Sequence, residues 1–263
     1  MQASAFPDAD VIDRSELKDS RGVAFKEYRR SLTPRWGRVW FDIGAGYLVI
    51  AATMVALVQL EERLPRLIPL WIVLGALVFG YTIAFIQLFL HEAAHFNIAP
   101  GRRLNDLLAT AFLGAMIGMD IEPYRTVHFD HHRYLGTPKD TERNYFTALN
   151  ARFLVQSLTG ITLFATVLRR RASAAGDRVR AGEERTSINT PRGMAARWRR
   201  PAMLLAGLLV NLSIVVLAWR GGHWALAIAW PLGMGCIHPF VNATRQILEH
   251  RSFDAKSSRA FSQ

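Results

Sequence analysis

Five of the eight histidines in this 263-residue chain fall into two short clusters whose spacing suits a metal site. The first cluster is HEAAH at residues 91–95, and the second is HFDHH at residues 128–132. Side chains three or four residues apart lie on one face of a helix, so each cluster can direct its imidazoles to one point. Imidazole is a ligand for iron, zinc, copper and nickel. The spacing therefore predicts a metal site that uses five side chains: His91, His95, His128, His131 and His132.

Two histidines near the end of the chain could extend this site. Gln246 and His250 are again four residues apart, and His250 is interpreted either as a sixth ligand or as part of an ordinary charged helix end. His238 lies inside the last apolar run, directly before Pro239. There it could bind metal, or it could satisfy a backbone carbonyl that a kink at the proline leaves free.

The elements that must position these histidines are long apolar segments. Hydrophobic residues make up 51% of the chain and gather into four nearly uncharged runs, at 39–60, 67–90, 201–219 and 221–243. A helix needs about 20 apolar residues to cross the hydrocarbon core of a bilayer. Because lipid offers no hydrogen-bond partners, each run must be helical. We expect an all-α polytopic membrane protein with four transmembrane helices, interfacial helices and a cytoplasmic histidine-rich metal site.

The basic residues predict the orientation of these helices. Residues 21–38 hold six basic groups, and residues 169–200 hold ten arginines. Arginine and lysine concentrate in cytoplasmic segments, so both basic segments, both termini and the metal site are expected on the cytoplasmic side. To share one metal, both histidine clusters must lie on one side of the membrane. The shorter runs at 107–119 and 153–168 are accordingly expected to stay at the interface.

The remaining composition defines the other segments and excludes several classes of protein. We expect a polar N-terminal segment (1–36) without a signal peptide, a membrane domain (37–250) with a solvated basic loop (169–200), and a short tail (251–263). One cysteine, Cys236, excludes a scaffold held by internal disulfides. Topology and anionic lipid headgroups account for the net charge of +11, so nucleic acid is not an expected partner.

With an apolar stretch before each cluster, the sequence resembles the membrane-bound fatty acid desaturase and hydroxylase superfamily. Its members carry histidine boxes of the forms HxxxH and HxxHH, followed by a later HxxHH. Residues 91–95 are similar to the first box and residues 128–132 to the second. The segment RYLGTPKDTE at 133–142 also resembles bacterial members, which implies a bacterial inner membrane. The similarity extends over about residues 37–250.

This resemblance implies an oxygen-dependent oxidoreductase of lipid metabolism with a di-iron centre. Molecular oxygen would be the co-substrate, and a ferredoxin-like or cytochrome b5-like carrier would supply electrons at the arginine-rich face. The substrate would be a fatty acyl lipid or an acyl thioester that receives a double bond. The alternative within the superfamily is a fatty acid or alkane hydroxylase, or a carotenoid hydroxylase or ketolase. His250 resembles a further histidine ligand that the family has near the end of its last span.

Three carboxylates adjoin candidate ligands: Glu92, Asp130 and Glu249. Metal-bound imidazoles commonly donate their second ring N–H to a carboxylate or a carbonyl. We expect these three side chains to orient imidazoles and so to belong to the catalytic machinery. The alternative is that they are ordinary solvated carboxylates.

The chain departs from the family pattern after His250. Residues 251–263 contain no histidine, so a third box is missing from this sequence. Six imidazoles underfill two irons unless carboxylates, waters or a further segment contribute ligands. The expected consequence is a truncated desaturase, a centre with fewer metals, or a loss of catalysis.

Two other classes remain open. HEAAH matches the HExxH signature of zinc proteases, in which Glu92 would be the general base. HFDHH argues against a protease, because one zinc needs only three protein ligands and a water. The last interpretation is a truncated, non-catalytic membrane protein that keeps the fold as a partner-binding or lipid-binding element.

Overall fold

The computed structural model describes residues 18–32, 34–134, 141, 150–161 and 194–250, and within these ranges the chain is helical and forms no β-strand. The helices are α1 (Phe25–Ser31), α2 (Trp36–Arg63), α3 (Ile68–Ala94), α4 (Arg102–Leu108), α5 (Ile121–Tyr134), α6 (Ala151–Leu158), α7 (Met194–Arg220), α8 (Trp224–Leu232) and α9 (His238–His250). A π-helical segment, Ala109–Gly114, and a 3-10 turn, Ala115–Ile117, extend α4. A second π-helical segment, Gly233–Ile237, joins α8 to α9.

Four helical segments are long and apolar enough to cross a membrane: Trp36–Arg63, Pro65–Ala94, Trp198–Arg220 and Trp224–Arg245. They correspond to the four predicted runs, and the prediction of an all-α polytopic membrane protein is confirmed. Leu48 on α2 and Leu217 on α7 are each 70% exposed, as expected of side chains that face lipid.

The central helix of the bundle is α3, which packs against α2, α8 and α9. Phe79 of α3 and Trp230 of α8 are almost fully buried, and their rings meet edge to face at 5.1 Å between centroids. A Cβ atom on Gly80 would lie only 2.4 Å from Cβ of Ile237. Glycine therefore lets α3 approach the segment between α8 and α9 closely, which brings α9 alongside the end of α3 that carries the first histidine cluster.

The segment between the two histidine clusters is bent. Residues Arg102–Ile117 and Ile121–Tyr134 form two helical parts at 91° to each other, and this pair would count as a fifth crossing only if it were one span. His128 on α5 instead lies in contact with His95 at the end of α3, with 2.9 Å between their Nε2 atoms. The chain therefore leaves and returns at the same end of the bundle, and the run at 107–119 does not separate the clusters.

The turn of this bent pair packs directly on α7. Gly118 has a positive φ of 68°, which glycine adopts without steric strain. A Cβ atom on Gly207 of α7 would lie 2.5 Å from the Gly118 nitrogen, so the two backbones are in contact. Asn211 of α7 donates a hydrogen bond to the Met116 carbonyl at 2.8 Å. Helix α7 thus supports the turn that precedes the second histidine cluster.

Two predicted segments, the basic loop at 169–200 and the interfacial run at 153–168, have other boundaries in the described residues. Residues 194–200, which the sequence analysis assigns to the solvated basic loop, instead form the first turns of α7. A helix can extend beyond the hydrocarbon core, so arginines at its end lie outside the apolar layer without ending the helix. Of the interfacial run predicted at 153–168, residues up to 158 belong to α6, and residues 162–168 lie outside the described residues. Residues 169–193 and 251–263 also lie outside them.

Candidate metal centre

The first histidine cluster lies on the last turn of α3. His91 and His95 are four residues apart, and their ring centroids are 5.1 Å apart. Directly after His95 the helix ends, with the Phe96 and Asn97 amides donating to the carbonyls of Ala93 and Glu92. This pair of hydrogen bonds is the Schellman ending of a helix. Both imidazoles therefore lie at the C-terminal end of α3 and not inside the apolar bundle.

The second cluster, on α5, faces the first. Four imidazoles come together, His91, His95, His128 and His132, and each offers a ring nitrogen within 4.8 Å of the others. A metal–imidazole bond of about 2.1 Å sets ligand nitrogens roughly 3 to 4.2 Å apart. The observed separations are close to this range. The predicted convergence of the two clusters is found in the structure for these four of the five histidines.

Hydrogen bonds alone do not account for the packing of these rings. The Nε2 atoms of His95 and His132 both lie 2.9 Å from Nε2 of His128. A ring nitrogen carries either one hydrogen or one in-plane lone pair, so it can make one well-formed hydrogen bond and not two. A metal cation that accepts the lone pairs of all three nitrogens removes the conflict. Nδ1 of His128 is buried and finds no hydrogen-bond partner among the described residues.

The charge state of His128 also suits a metal ligand. Burial, together with the imidazoles of His91, His132, His95 and His131, lowers the pKa of His128 to about 3. Below its pKa a histidine is protonated and cannot bind metal; above it the lone pair is free. His128 is therefore a neutral donor throughout the physiological range. The donor set as a whole fits a borderline first-row metal such as iron or zinc.

His131 lies beside this group rather than in it. Its side chain is 1% exposed, and its ring centroid is 5.6 Å from that of His132 and 6.2 Å from that of His128. On α5 it is on the face turned into the protein. Its role as a ligand stays a prediction.

The three predicted orienting carboxylates differ in what the structure shows. The Glu92 carboxylate accepts a hydrogen bond from the side-chain amide of Asn97 at 2.9 Å. Its other oxygen lies 3.4 Å from Nδ1 of His91. Asp130 is half-buried on α5. Glu249 and His250 are the last two residues of α9, but their side chains, like that of Gln246, lie outside what the structure describes. The participation of Asp130, Glu249 and His250 stays a prediction.

A polar cluster one helical turn deeper was not predicted. Gln87 precedes His91 by four residues and contacts Nε2 of His238 through Oε1 at 2.6 Å. Asn242 is 2.9 Å from the same Gln87 oxygen and 2.8 Å from His238 Nε2. The His238 ring also donates to the Met234 backbone, one turn earlier. These contacts favour the interpretation in which His238 bonds a backbone carbonyl near the kink at Pro239.

An apolar groove runs along the bundle beside α3. Its volume is about 700 Å³, and side chains from α2, α3, α6 and α9 line it, including Val49, Tyr81, Leu158 and Val241. Val49 and Tyr81 are exposed, so the groove is open to the lipid-facing surface. The volume falls within the range of about 300 to 1,000 Å³ that is usual for small-molecule sites.

Comparison with known proteins identifies the family. The family model described as fatty acid desaturase matches residues 68–262, which include both histidine clusters, the bent pair and the last two spans. No curated protein and no solved structure matches the chain. Because the match covers most of the chain, and because the histidines it includes converge as a metal site requires, the chain belongs to the fatty acid desaturase family.

Proposed function

We propose that this protein is an iron-dependent and oxygen-dependent enzyme that introduces a double bond into a fatty acyl chain. Membership of the desaturase family supports a lipid-modifying oxidoreductase in general. The observation that carries the proposal for this chain is the convergence of four imidazoles from two helices within 4.8 Å. The residues proposed to hold the iron are His91, His95, His128 and His132, with His131 and His250 as further ligands.

The protein's own groups would prepare the site in two ways. Because the pKa of His128 is lowered to about 3, its ring is already neutral at physiological pH and offers a lone pair to a metal. Glu92, held by Asn97, is placed to accept from the Nδ1 side of His91 and so to fix the direction of its other nitrogen. Iron, when bound, supplies with molecular oxygen the oxidising power to remove hydrogen from an unactivated methylene, which no side chain can provide alone.

The apolar groove supports an acyl substrate. A chain of methylene groups presents only apolar surface, and the groove walls are nearly all hydrocarbon, with Tyr81 and Thr82 as the hydroxyl-bearing exceptions. Burying apolar surface contributes about 25 cal/mol per Å². Because the groove opens toward lipid, an acyl chain can enter sideways from the bilayer. The headgroup or thioester would then lie near the end of the bundle that carries the histidines.

The location of the site and the electron donor are part of the same proposal. We place both termini and the metal on the cytoplasmic side of a bacterial inner membrane, on the charge distribution described above. Arg102, Arg103 and Arg133, on the two helices that flank the site, are exposed. A positive surface favours docking of an acidic carrier. A ferredoxin-like or cytochrome b5-like protein is the proposed partner.

Purification in detergent followed by metal analysis tests the proposal. The wild-type protein is expected to retain iron, whereas His128→Ala is expected to lose it, because His128 contacts two other candidate ligands. His223→Ala is the matched control, since His223 lies directly before α8 at the opposite end of the bundle. Iron retained by His128→Ala at the wild-type level would contradict the assignment. Stoichiometric zinc without iron would instead favour the protease.

Expression in a desaturase-deficient host tests the reaction itself. We expect new unsaturated acyl chains from the wild-type gene and none from His128→Ala at equal membrane abundance. A hydroxylated or ketone product would assign the chain to the alternative outcome within the superfamily. Unchanged lipids from a protein that is present in the membrane and loaded with iron would favour the non-catalytic interpretation.

A further inference from the structure

Arg125 joins the two helices that carry the histidine clusters. It lies on α5, three residues before His128, and reaches across to the end of α3. Its Nε donates to the Ala94 carbonyl at 2.9 Å, and one terminal nitrogen donates to the Ala93 carbonyl at 3.1 Å. These carbonyls belong to the last turn of α3, where the regular i to i+4 pattern of helix hydrogen bonds ends. One side chain on the second cluster's helix therefore binds the backbone between His91 and His95.

The guanidinium is itself held in place. Asp106, at the end of α4, accepts from both terminal nitrogens of Arg125, at 3.1 and 2.5 Å. This forked geometry fits an arginine and a carboxylate and cannot be reproduced by lysine. Burial raises the pKa of Asp106, but hydrogen bonds from Arg125 and Asn105 outweigh it, so the pKa lies below its usual value. Asp106 is thus ionised at neutral pH and pairs with a full positive charge.

Asn105 completes the connection from the α4 side. Its side-chain amide is fully buried and donates to the Ala93 carbonyl at 2.9 Å. Its oxygen accepts from the Ile98 amide at 3.3 Å. The Ala93 carbonyl therefore receives hydrogen bonds from Arg125 and from Asn105, in addition to that from the Phe96 amide.

Phe96 shows that the end of α3 is held under strain. It is the one non-glycine residue with a positive φ, 61°, in the described part of the chain. A non-glycine residue in this conformation is strained and persists where its surroundings enforce it. The Arg125 guanidinium lies 3.9 Å from the centroid of the Phe96 ring, within the range of a cation–π contact. Arg125 thus contacts both the carbonyls of Ala93 and Ala94 and the ring of Phe96 that follows them.

We propose that Arg125 is the positioning residue that sets the first histidine cluster against the second, with Asp106 and Asn105 holding it in place. The inference rests on the proposed function, because it concerns the metal site. In the contacts described, Arg125 touches neither a histidine ring nor an expected substrate atom. It acts by fixing the end of α3 relative to α5, and so the separation of His95 and His128.

The variants Arg125→Met and Arg125→Lys test this role through metal binding. Changes to groups that support metal ligands typically weaken metal affinity about 10-fold to 100-fold. We expect a loss in this range for Arg125→Met, measured as the dissociation constant for Co²⁺ in detergent. The visible absorption of bound Co²⁺ should also change in position and intensity, because the ligand geometry changes. Arg125→Lys should restore little, since lysine keeps the charge but not the fork.

The matched control is Arg199→Met. Arg199 also anchors the start of α5, through ion pairs with Asp120 and Glu122 at 3.0 and 2.6 Å, and none of its described contacts is with α3. We expect its Co²⁺ affinity and spectrum to remain close to wild type. An equal loss in Arg125→Met and Arg199→Met would overturn the proposal, because any weakening of α5 would then have the same effect. Wild-type affinity in Arg125→Met would overturn it as well.

Asp106→Asn keeps the test informative if Arg125→Met is not recovered from membranes. This variant leaves the guanidinium but removes its charged partner, and an intermediate loss of Co²⁺ affinity with a smaller spectral change is expected. No change in either quantity would contradict the proposed role. A wild-type protein that binds no Co²⁺ would overturn the metal site itself, whereas normal binding by wild type and by Arg125→Met would overturn only this inference.

Discussion

At the scale of single residues, the histidines illustrate how much spacing can reveal. The pairs at 91/95 and 128/132 have the separation of one helical turn, and both pairs do present their rings to one point. Spacing also predicted His131 as a metal ligand. The structure places its nearly fully buried side chain beside the four converging imidazoles. Adjacent positions such as 131 and 132 differ by about 100° around the helix axis, so their two rings leave α5 in different directions. Which of two adjacent histidines points inward depends on the tilt of the helix, which the sequence does not contain.

Arg125, Gln87 and Asn242 show the opposite case. None belongs to a recognisable motif in a single sequence, and polar residues on helix ends are common. Their roles depend on contacts across 31 residues for Arg125 and across more than 150 for Gln87. Such contacts follow from the packing of helices, so only the structure reveals them.

Glu92 gives a prediction at this scale. Its carboxylate is held by Asn97 and lies beside Nδ1 of His91, so Glu92→Gln should leave the protein in the membrane but weaken metal binding about 10-fold. The measurement is a metal titration of both proteins in detergent. As a control, Glu62→Gln removes an exposed carboxylate near the other end of the bundle. Unaltered metal affinity in Glu92→Gln would show that the carboxylate does not orient His91.

At the scale of helices, the four spans were predictable because lipid imposes a simple rule. A run of about 20 apolar residues without partners for its backbone must be a crossing helix. The start of α7 was not predictable in the same way. Residues 194–200 carry three arginines, which resemble a loop by composition, yet helix formation needs only backbone hydrogen bonds and a place for the charges outside the apolar layer. Arginine has a good helix propensity, so the helix continues into the interface.

Glu61 provides a prediction about the helices. It is a buried carboxylate at the end of α2, and it accepts hydrogen bonds from the first two amides of α8, those of Trp224 and Ala225, at 2.9 and 3.0 Å. A negative group at a helix N-terminus satisfies free amides and interacts well with the helix dipole. Removing such a cap costs about 0.5 to 2 kcal/mol. We therefore expect Glu61→Ala to lower the melting temperature in detergent.

The control for this prediction is Glu62→Ala, the exposed neighbour on the same turn. It should leave the melting temperature close to that of wild type. Metal content should be unchanged in both variants, since α8 begins at the end of the bundle opposite the histidines. Equal melting temperatures for Glu61→Ala and wild type would show that the cap contributes nothing to stability.

At the scale of the whole molecule, three features involve α3. The histidine clusters meet at its end, the Gln87, His238 and Asn242 cluster lies one turn deeper, and the apolar groove runs along the bundle between α2, α3, α6 and α9. The proposed acyl substrate would lie along this groove. The fold was expected from the sequence, but the groove was not, because its walls come from four separate helices.

X-ray absorption at the iron edge of the purified protein tests the central claim, that imidazoles from both clusters share a metal. The account predicts bound iron with nitrogen ligands at about 2.1 Å and the outer-shell scattering typical of several imidazole rings. In His128→Ala the imidazole scattering should fall along with the iron content. Iron surrounded by ligands without imidazole scattering, or a wild-type protein that takes up no iron when it is folded in the membrane, would contradict it.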